Sequence, residues 1–156
     1  MTRPEVVVVG VGNAWRGDDA AGPAVIDRLR NRVGSAVALV ESDGEPSRLL
    51  DSLGLADRVI LIDAIRTGAE PGTVVHFAGD ELPADLGTGQ STHLVDLVDA
   101  IALAKVLGRL TGTLEFVGIE GASFEPGTPM CAEVDAAVDR TVEQVIATTV
   151  EEAGDA

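Results

Sequence analysis

Two uninterrupted runs of branched aliphatic residues, Val6-Val7-Val8-Val9 ahead of Gly10 and Val59-Ile60-Leu61-Ile62 ahead of Asp63, constrain the fold of this chain more than any other feature. A strand with one face in water alternates apolar and polar residues. A strand that is apolar on both faces has to be covered on both, and helices packed over a mainly parallel sheet provide that cover. Both runs therefore read as central strands of such a sheet.

The segments around them fit the same architecture. Val25, Ile26, Leu29 and Val33 recur at helical spacing opposite Asp27, Arg28 and Arg30, with Pro23 placed for the first turn. Ala36 to Glu41 reads as a second strand and Pro46 to Leu53 as a short helix. Thr73-Val74-Val75-His76-Phe77 alternates like an edge strand, open to antiparallel pairing. The polar, glycine-rich stretch from Gly79 to Thr92 reads as a long loop, of a length that is usually functional or mobile. Ser91 or Thr92 can cap a helix carrying Leu94, Leu97, Val98, Ile101 and Leu107, stopped by Gly108. Leu114 to Ile119 is the last strand, and Thr128-Pro129 opens a last helix with the stripe Val134, Val138, Val142 and Val145.

The order β-α-β-α-β-β-α-β-α predicts a three-layer α/β/α sandwich around a mostly parallel, twisted sheet of about five strands. Neither a repeat nor a linker divides the chain, which reads as one α/β domain over residues 1–150 with a frayed tail over 151–156.

Composition narrows the function classes. With 26 acidic against 11 basic side chains the net charge is −15, which repels nucleic acid and anionic membranes. The single cysteine, Cys131, excludes an internal disulfide or a multi-thiolate metal cage and suits a reducing compartment. The apolar run after Met1, Thr2 and Arg3 leads into glycines, unlike a signal peptide, and no stretch approaches the roughly 18 apolar residues of a membrane span. A cytoplasmic protein, most simply a monomer, is expected.

Candidate chemistry gathers at the ends of elements. Gly10-Val11-Gly12-Asn13-Ala14-Trp15-Arg16-Gly17-Asp18-Asp19 stands where the first strand hands over to the first helix, the place where dinucleotide folds hold a phosphate. Here Trp15 replaces the third glycine of that fingerprint, and two acids would repel a pyrophosphate, so metal binding ranks above nucleotide binding. One of Asp18 and Asp19 is expected to cap the helix, leaving the other for chemistry. Asp63 is either a ligand at the carboxyl edge of the sheet or the first solvated residue of the next loop. His93 opens a helix after the long loop, whereas His76 on the alternating strand reads as an ordinary surface or core histidine. Two carboxylates and one neutral imidazole from three elements could form an open site for Ni²⁺ or Zn²⁺. Cys131 reads as a buried or inert thiol. Ser123 lacks the glycine-flanked elbow of a serine nucleophile.

At these positions the chain closely resembles the hydrogenase maturation endopeptidase family. The likeness is carried by Gly10-Val11-Gly12-Asn13 through Gly17-Asp18-Asp19-Ala20-Ala21-Gly22-Pro23, by Leu61-Ile62-Asp63-Ala64, by Thr92-His93, and by Gly118-Ile119-Glu120 through Phe124-Glu125-Pro126-Gly127. It implies that Asp19, Asp63 and His93 occupy the metal-ligand and catalytic positions. It also implies removal of a C-terminal extension from the large-subunit precursor of a nickel-iron hydrogenase after nickel insertion. Nickel would arrive on the substrate and act as a recognition element, with cadmium or zinc as substitutes. Two departures stand out: Asp19 where many relatives have glutamate, and Ser42-Asp43-Gly44-Glu45-Pro46-Ser47 where many have Gly-Gly-Thr or Gly-Gly-Ser. The competing readings are a non-catalytic nucleotide- or ligand-binding module and a relative that binds the precursor without cutting it.

Overall fold

The computed structural model of the protein describes residues 3–79, 81, 92–110 and 112–154. Along the chain come β1 (Val6–Val11), a short 3-10 turn (Gly17–Ala20), α1 (Ala21–Leu29), β2 (Val37–Ser42), α2 (Pro46–Leu53) and β3 (Arg58–Ile65). They are followed by β4 (Val74–Ala78), α3 (Thr92–Val106), β5 (Thr113–Glu120) and α4 (Ala132–Gly154).

The strands form one sheet in the order β2-β1-β3-β5-β4. β1 pairs in parallel with β2, from Val6 opposite Val37, and with β3, as far as Gly10 opposite Ile62. β3 and β5 are also parallel, while β4 runs antiparallel along the far edge of β5. Every residue of β1 is buried, as its unbroken valines require of a strand covered on both faces.

Side-chain alternation splits the interior into two cores. On one face Val8, Ile60, Ile62 and Ile119 meet Val25, Ile26 and Leu29 of α1 and Val134, Val138 and Val142 of α4. On the other Val7, Val9, Leu61 and Phe116 meet Leu49 and Leu53 of α2 and Leu97, Ile101 and Ala104 of α3. Burying each of the larger of these side chains contributes roughly 1.5–3 kcal/mol, and together they hold the three layers. Arg28 of α1 adds a polar clasp, bonding to the carboxylates of Asp135 and Asp139 on α4.

The expected element order and layering are found, with three differences. The first helix ends at Leu29, because Arg30 is extended and Asn31 takes φ 66°, and Val33 packs on the core from beyond the helix. The last helix begins at Ala132, not at Thr128-Pro129. Residues 125–128 instead form a turn closed by Thr128 Oγ1 on the Glu125 carbonyl at 2.6 Å, and the Gly127 N–H donates to the Trp15 carbonyl at 2.8 Å. At the other end α4 continues through Gly154, into the segment expected to fray. The proposed capping residue Ser91 and most of the long loop lie outside the described residues. α2 starts where expected, capped by Glu45. Its side chain accepts from the Ser47 hydroxyl at 2.6 Å and from the Ser47 and Arg48 amides, which hold its pKa at about 2.

β1, β3 and β5 all end at one edge of the sheet, the carboxyl edge. β1 lies between β2 and β3: the connection from β1 leads to β2 on one side, the connection from β2 crosses back past β1 to β3 on the other, and open α/β sheets place ligands where the strand order reverses in this way. α3 leads directly into the start of β5, and Arg109 just beyond its end reaches Asp51 of α2 at 3.2 Å. Its C-terminal end therefore lies at the amino edge, and its first turn, with Thr92 and His93, is directed to the carboxyl edge.

Candidate active site

Asp63 sits inside β3, two residues before the strand ends, opposite Gly118 of β5. It is 0% exposed. The reading of Asp63 as the first solvated residue of a loop is thus overturned: β3 runs on to Ile65, and the carboxylate is enclosed. By strand alternation it shares a face with Leu61 and Ile65, the face covered by α2 and α3.

Asp19 is brought to the same edge by the loop that follows β1. Gly12 takes φ +144°, and a Cβ there would lie 2.1 Å from the Asp19 carbonyl oxygen, so only glycine lets the loop fold this tightly over the 3-10 turn. The Asn13 N–H then donates to Asp19 Oδ2 at 3.0 Å, and Asn13 Oδ1 accepts the Trp15 N–H at 2.9 Å. Asp19 is 4% exposed. An amide that could have held a phosphate here is engaged by the protein's own carboxylate, which argues against a nucleotide in this turn.

The structure separates the roles of the two adjacent acids. Asp18, 1% exposed, accepts three backbone N–H groups: Ala122 at 2.7 Å and Ser123 at 3.1 Å on Oδ2, and Cys131 at 2.8 Å on Oδ1. Burial opposes its charged form, but the amides of Cys131, Ala122 and Ser123 outweigh that and hold the carboxyl below its ordinary pKa. Neither acid caps α1, whose N-cap is Ala20 with no side-chain bond, contrary to expectation. Asp18 instead fastens the β1–α1 loop to the β5–α4 loop, and backbone bonds from Gly17 to Thr128 and from Asp18 to Ser123 extend that seam. This seam keeps residues 125–131 out of the last helix.

Glu120 is a second buried latch to which the sequence reading gave no role. At the end of β5 it accepts the Thr67 N–H at 2.7 Å, the Thr67 hydroxyl at 2.8 Å and the Gly68 N–H at 3.0 Å. Arg66 in the same β3–β4 loop stands over the Phe124 ring at 5.9 Å. The available signal was an acid ending an apolar strand, the same pattern that singled out Asp63.

His93 is the second residue of α3, and its side chain lies outside the described residues. Among the described side chains no group of three or more His, Cys, Asp or Glu has metal-holding geometry. What is described at the carboxyl edge is a pair of buried oxygen donors, Asp19 and Asp63, with the helix that carries His93 packed on the Asp63 face of the sheet. Borderline divalent ions accept carboxylate and imidazole together, so the donor types fit such an ion.

The remaining candidates behave as ordinary residues. His76 is exposed on β4. The Cys131 thiol is pushed up by burial and by the Asp18 carboxylate, against a bond from the Val134 amide, and is not poised as a nucleophile. Ser123 serves the seam through its backbone, and its hydroxyl accepts the Glu125 N–H at 3.3 Å. Among the described residues, no helix is long and apolar enough to cross a membrane.

Comparison with known proteins gives a consistent result. A family model described as hydrogenase maturation protease matches residues 23–148. The chain is 28% identical over 145 residues to the hydrogenase 2 maturation protease of Escherichia coli, covering 91% of this chain and 88% of that one. It is 30% identical over 125 residues to the hydrogenase expression/formation protein HupD of Thiocapsa roseopersicina, covering 78% of this chain but 57% of that protein. The structure of the E. coli hydrogenase maturating endopeptidase HybD superimposes with a TM-score of 0.83 at 28% identity, over 95% of this chain and 93% of that one. A [NiFe] hydrogenase maturation protease HybD from Thermococcus kodakarensis gives 0.77 at 29% identity, over 90% and 96%.

Proposed function

The chain belongs to the hydrogenase maturation protease family, and from that premise we propose that it is an endopeptidase that trims the C-terminal extension of a nickel-iron hydrogenase large-subunit precursor once nickel is in place. Nickel enters as part of the substrate, with Asp19, Asp63 and His93 as the side chains that engage it. The observation that carries this reading is the pair of carboxylates buried at the carboxyl edge, Asp63 at 0% and Asp19 at 4% exposure, in a fold shared with proteases of this family.

Burial gives these residues their use. Removing water around a carboxylate strengthens its attraction for a cation, and two such groups on rigid supports prefer a partner that brings its own positive charge. Asp63 is fixed by a central strand, and Asp19 by a loop clamped through Asn13 and through the Asp18 seam, so neither has to be ordered when substrate arrives. His93 has to be neutral to donate its nitrogen lone pair, so protonation of the imidazole opposes engagement of nickel. A metal held there can align the scissile segment and polarise its carbonyl.

The test is mass spectrometry of nickel-loaded and nickel-free precursor incubated with wild type, Asp63→Asn and His93→Ala. Loss of the C-terminal peptide is expected with wild type and nickel only, and each variant is expected to be at least about a hundredfold slower, since a ligand matters no less than its supporting residues. Equal cleavage of nickel-free precursor, or wild-type rates from both variants, would refute the assignment. Zinc- or cadmium-loaded precursor tests whether another ion can replace nickel.

A further inference from the structure

Among the described residues, large apolar side chains reach water in two regions. Leu55, Leu103, Val106 and Leu107 lie near the amino edge, at the ends of α2 and α3 that feed β3 and β5. Trp15, 80% exposed, stands at the carboxyl edge on the β1–α1 loop. Its exposure is not that of a slack chain. The Trp15 N–H donates to Asn13 Oδ1 at 2.9 Å, its carbonyl accepts the Gly127 N–H at 2.8 Å, and the Arg16 N–H bonds the Asn13 carbonyl at 3.2 Å. An aromatic side chain on backbone already immobilised loses little further freedom when a partner covers it, which is how binding hot spots gain their affinity.

Trp15 is among the residues that line a groove of roughly 370 Å³ between the β1–α1 and β2–α2 loops. Asn13 and Pro23 line its near side, and Glu41, Asp43 and Arg48 its far side. Asn13 is the residue whose N–H holds Asp19, so the groove and the buried acid share a wall. The rim is acidic: the lining carries two acids, Glu41 and Asp43, to one base, Arg48, which bonds Asp43 at 3.1 Å and Glu45 outside the groove at 3.5 Å, while Arg30 reaches Glu41 from outside at 3.2 Å.

We propose that this groove is the docking site for the precursor polypeptide, with a lysine or arginine side chain of the substrate lying across the face of Trp15 and its charge directed to Glu41 and Asp43. The inference rests on the protease reading and adds a specificity residue to it. A cation over an indole is attracted by the ring's negative face, and the acidic rim, on a chain of net charge −15, draws that cation in.

Trp15 is the only tryptophan in the chain, so protein made with fluorotryptophan carries a single fluorine resonance. Titration with unlabelled nickel-loaded precursor is expected to shift or broaden that resonance, less so at high salt. Trp15→Ala is expected to lower kcat/KM for cleavage about thirtyfold through KM, the size of a hot-spot truncation, with Trp15→Phe recovering most of it. Glu41→Gln is expected to weaken docking at low salt only. A resonance unmoved by precursor that the same sample cleaves, or a wild-type kcat/KM from Trp15→Ala, overturns the docking site and leaves the protease reading standing. Absence of cleavage by wild type, followed by mass spectrometry in the same tubes, refutes the protease reading and the docking site with it.

Discussion

Asp18 and Asp19 are chemically identical neighbours that the fold puts to different uses. Asp18 spends both oxygens on three amides of the β5–α4 loop, whereas Asp19 takes an amide of its own loop and stays at the carboxyl edge. Removing Asp18 strands those donors in a partly buried seam, and hydrogen bonds to a charged group contribute about 1.5–3 kcal/mol each before relaxation. Asp18→Ala is therefore expected to lower the unfolding free energy by about 3 kcal/mol in urea titrations, and a loss below about 1 kcal/mol would show the seam to be dispensable. The pH dependence has a defined sign. The folded carboxyl is held below its ordinary value, so its contribution is complete above the unfolded pKa of about 4 and is lost as pH falls through the folded pKa. The stability gap between wild type and Asp18→Asn should narrow below about pH 4, and a gap constant down to about pH 2 would contradict this.

Between elements, the seating of α1 on β1 depends on two glycines that face each other. A Cβ on Gly10 would fall 2.3 Å from the Gly22 carbonyl oxygen and 2.6 Å from Ile26 Cγ1, and one on Gly22 would fall 2.3 Å from the Val11 carbonyl oxygen. Backbone cannot move aside as a side chain can, so a methyl at either position lifts the helix from the sheet and displaces the 3-10 turn ahead of it. Gly10→Ala is expected to cost about 2–3 kcal/mol, in the range of core overpacking. Gly34→Ala, with nothing within 4 Å, should stay within about 0.5 kcal/mol by the same urea titration. A neutral Gly10→Ala would mean that α1 is not held by this close approach.

For the whole molecule the dominant long-range term is its charge of −15, with a sequence pI near 4.2. Repulsion among the acids destabilises the compact state, while exposed pairs such as Arg32 with Glu143 and Arg3 with Asp57 contribute about 0.2–1 kcal/mol each at most. Raising sodium chloride from about 10 mM to about 150 mM shortens the screening length from about 30 Å to about 8 Å and weakens both. The repulsion acts over more pairs, so the melting temperature at pH 7 is expected to rise with salt, by about 2–4 °C for about 1 kcal/mol of relieved repulsion. A fall in calorimetric melting temperature would show that the ion pairs outweigh the repulsion.

The layered architecture was legible in the chain, because burial on both faces leaves its mark in consecutive residues: four valines in β1 and the run from Val59 to Ile62 in β3 could be satisfied only inside a covered sheet. The chain also marked Asp19 and Asp63 as acids at element ends. Which acid of the pair is structural, how deep Asp63 lies, where the last helix starts and what Glu120 fastens were settled by packing. Those outcomes rest on hydrogen bonds between distant parts of the chain, such as Asp18 with Ala122 across 104 positions and Glu120 with Thr67 across 53. Local periodicity records which side of an element faces the interior. It does not record which loop arrives beside it, so the assembly of the carboxyl edge was set by contacts that exist only once the sheet has formed.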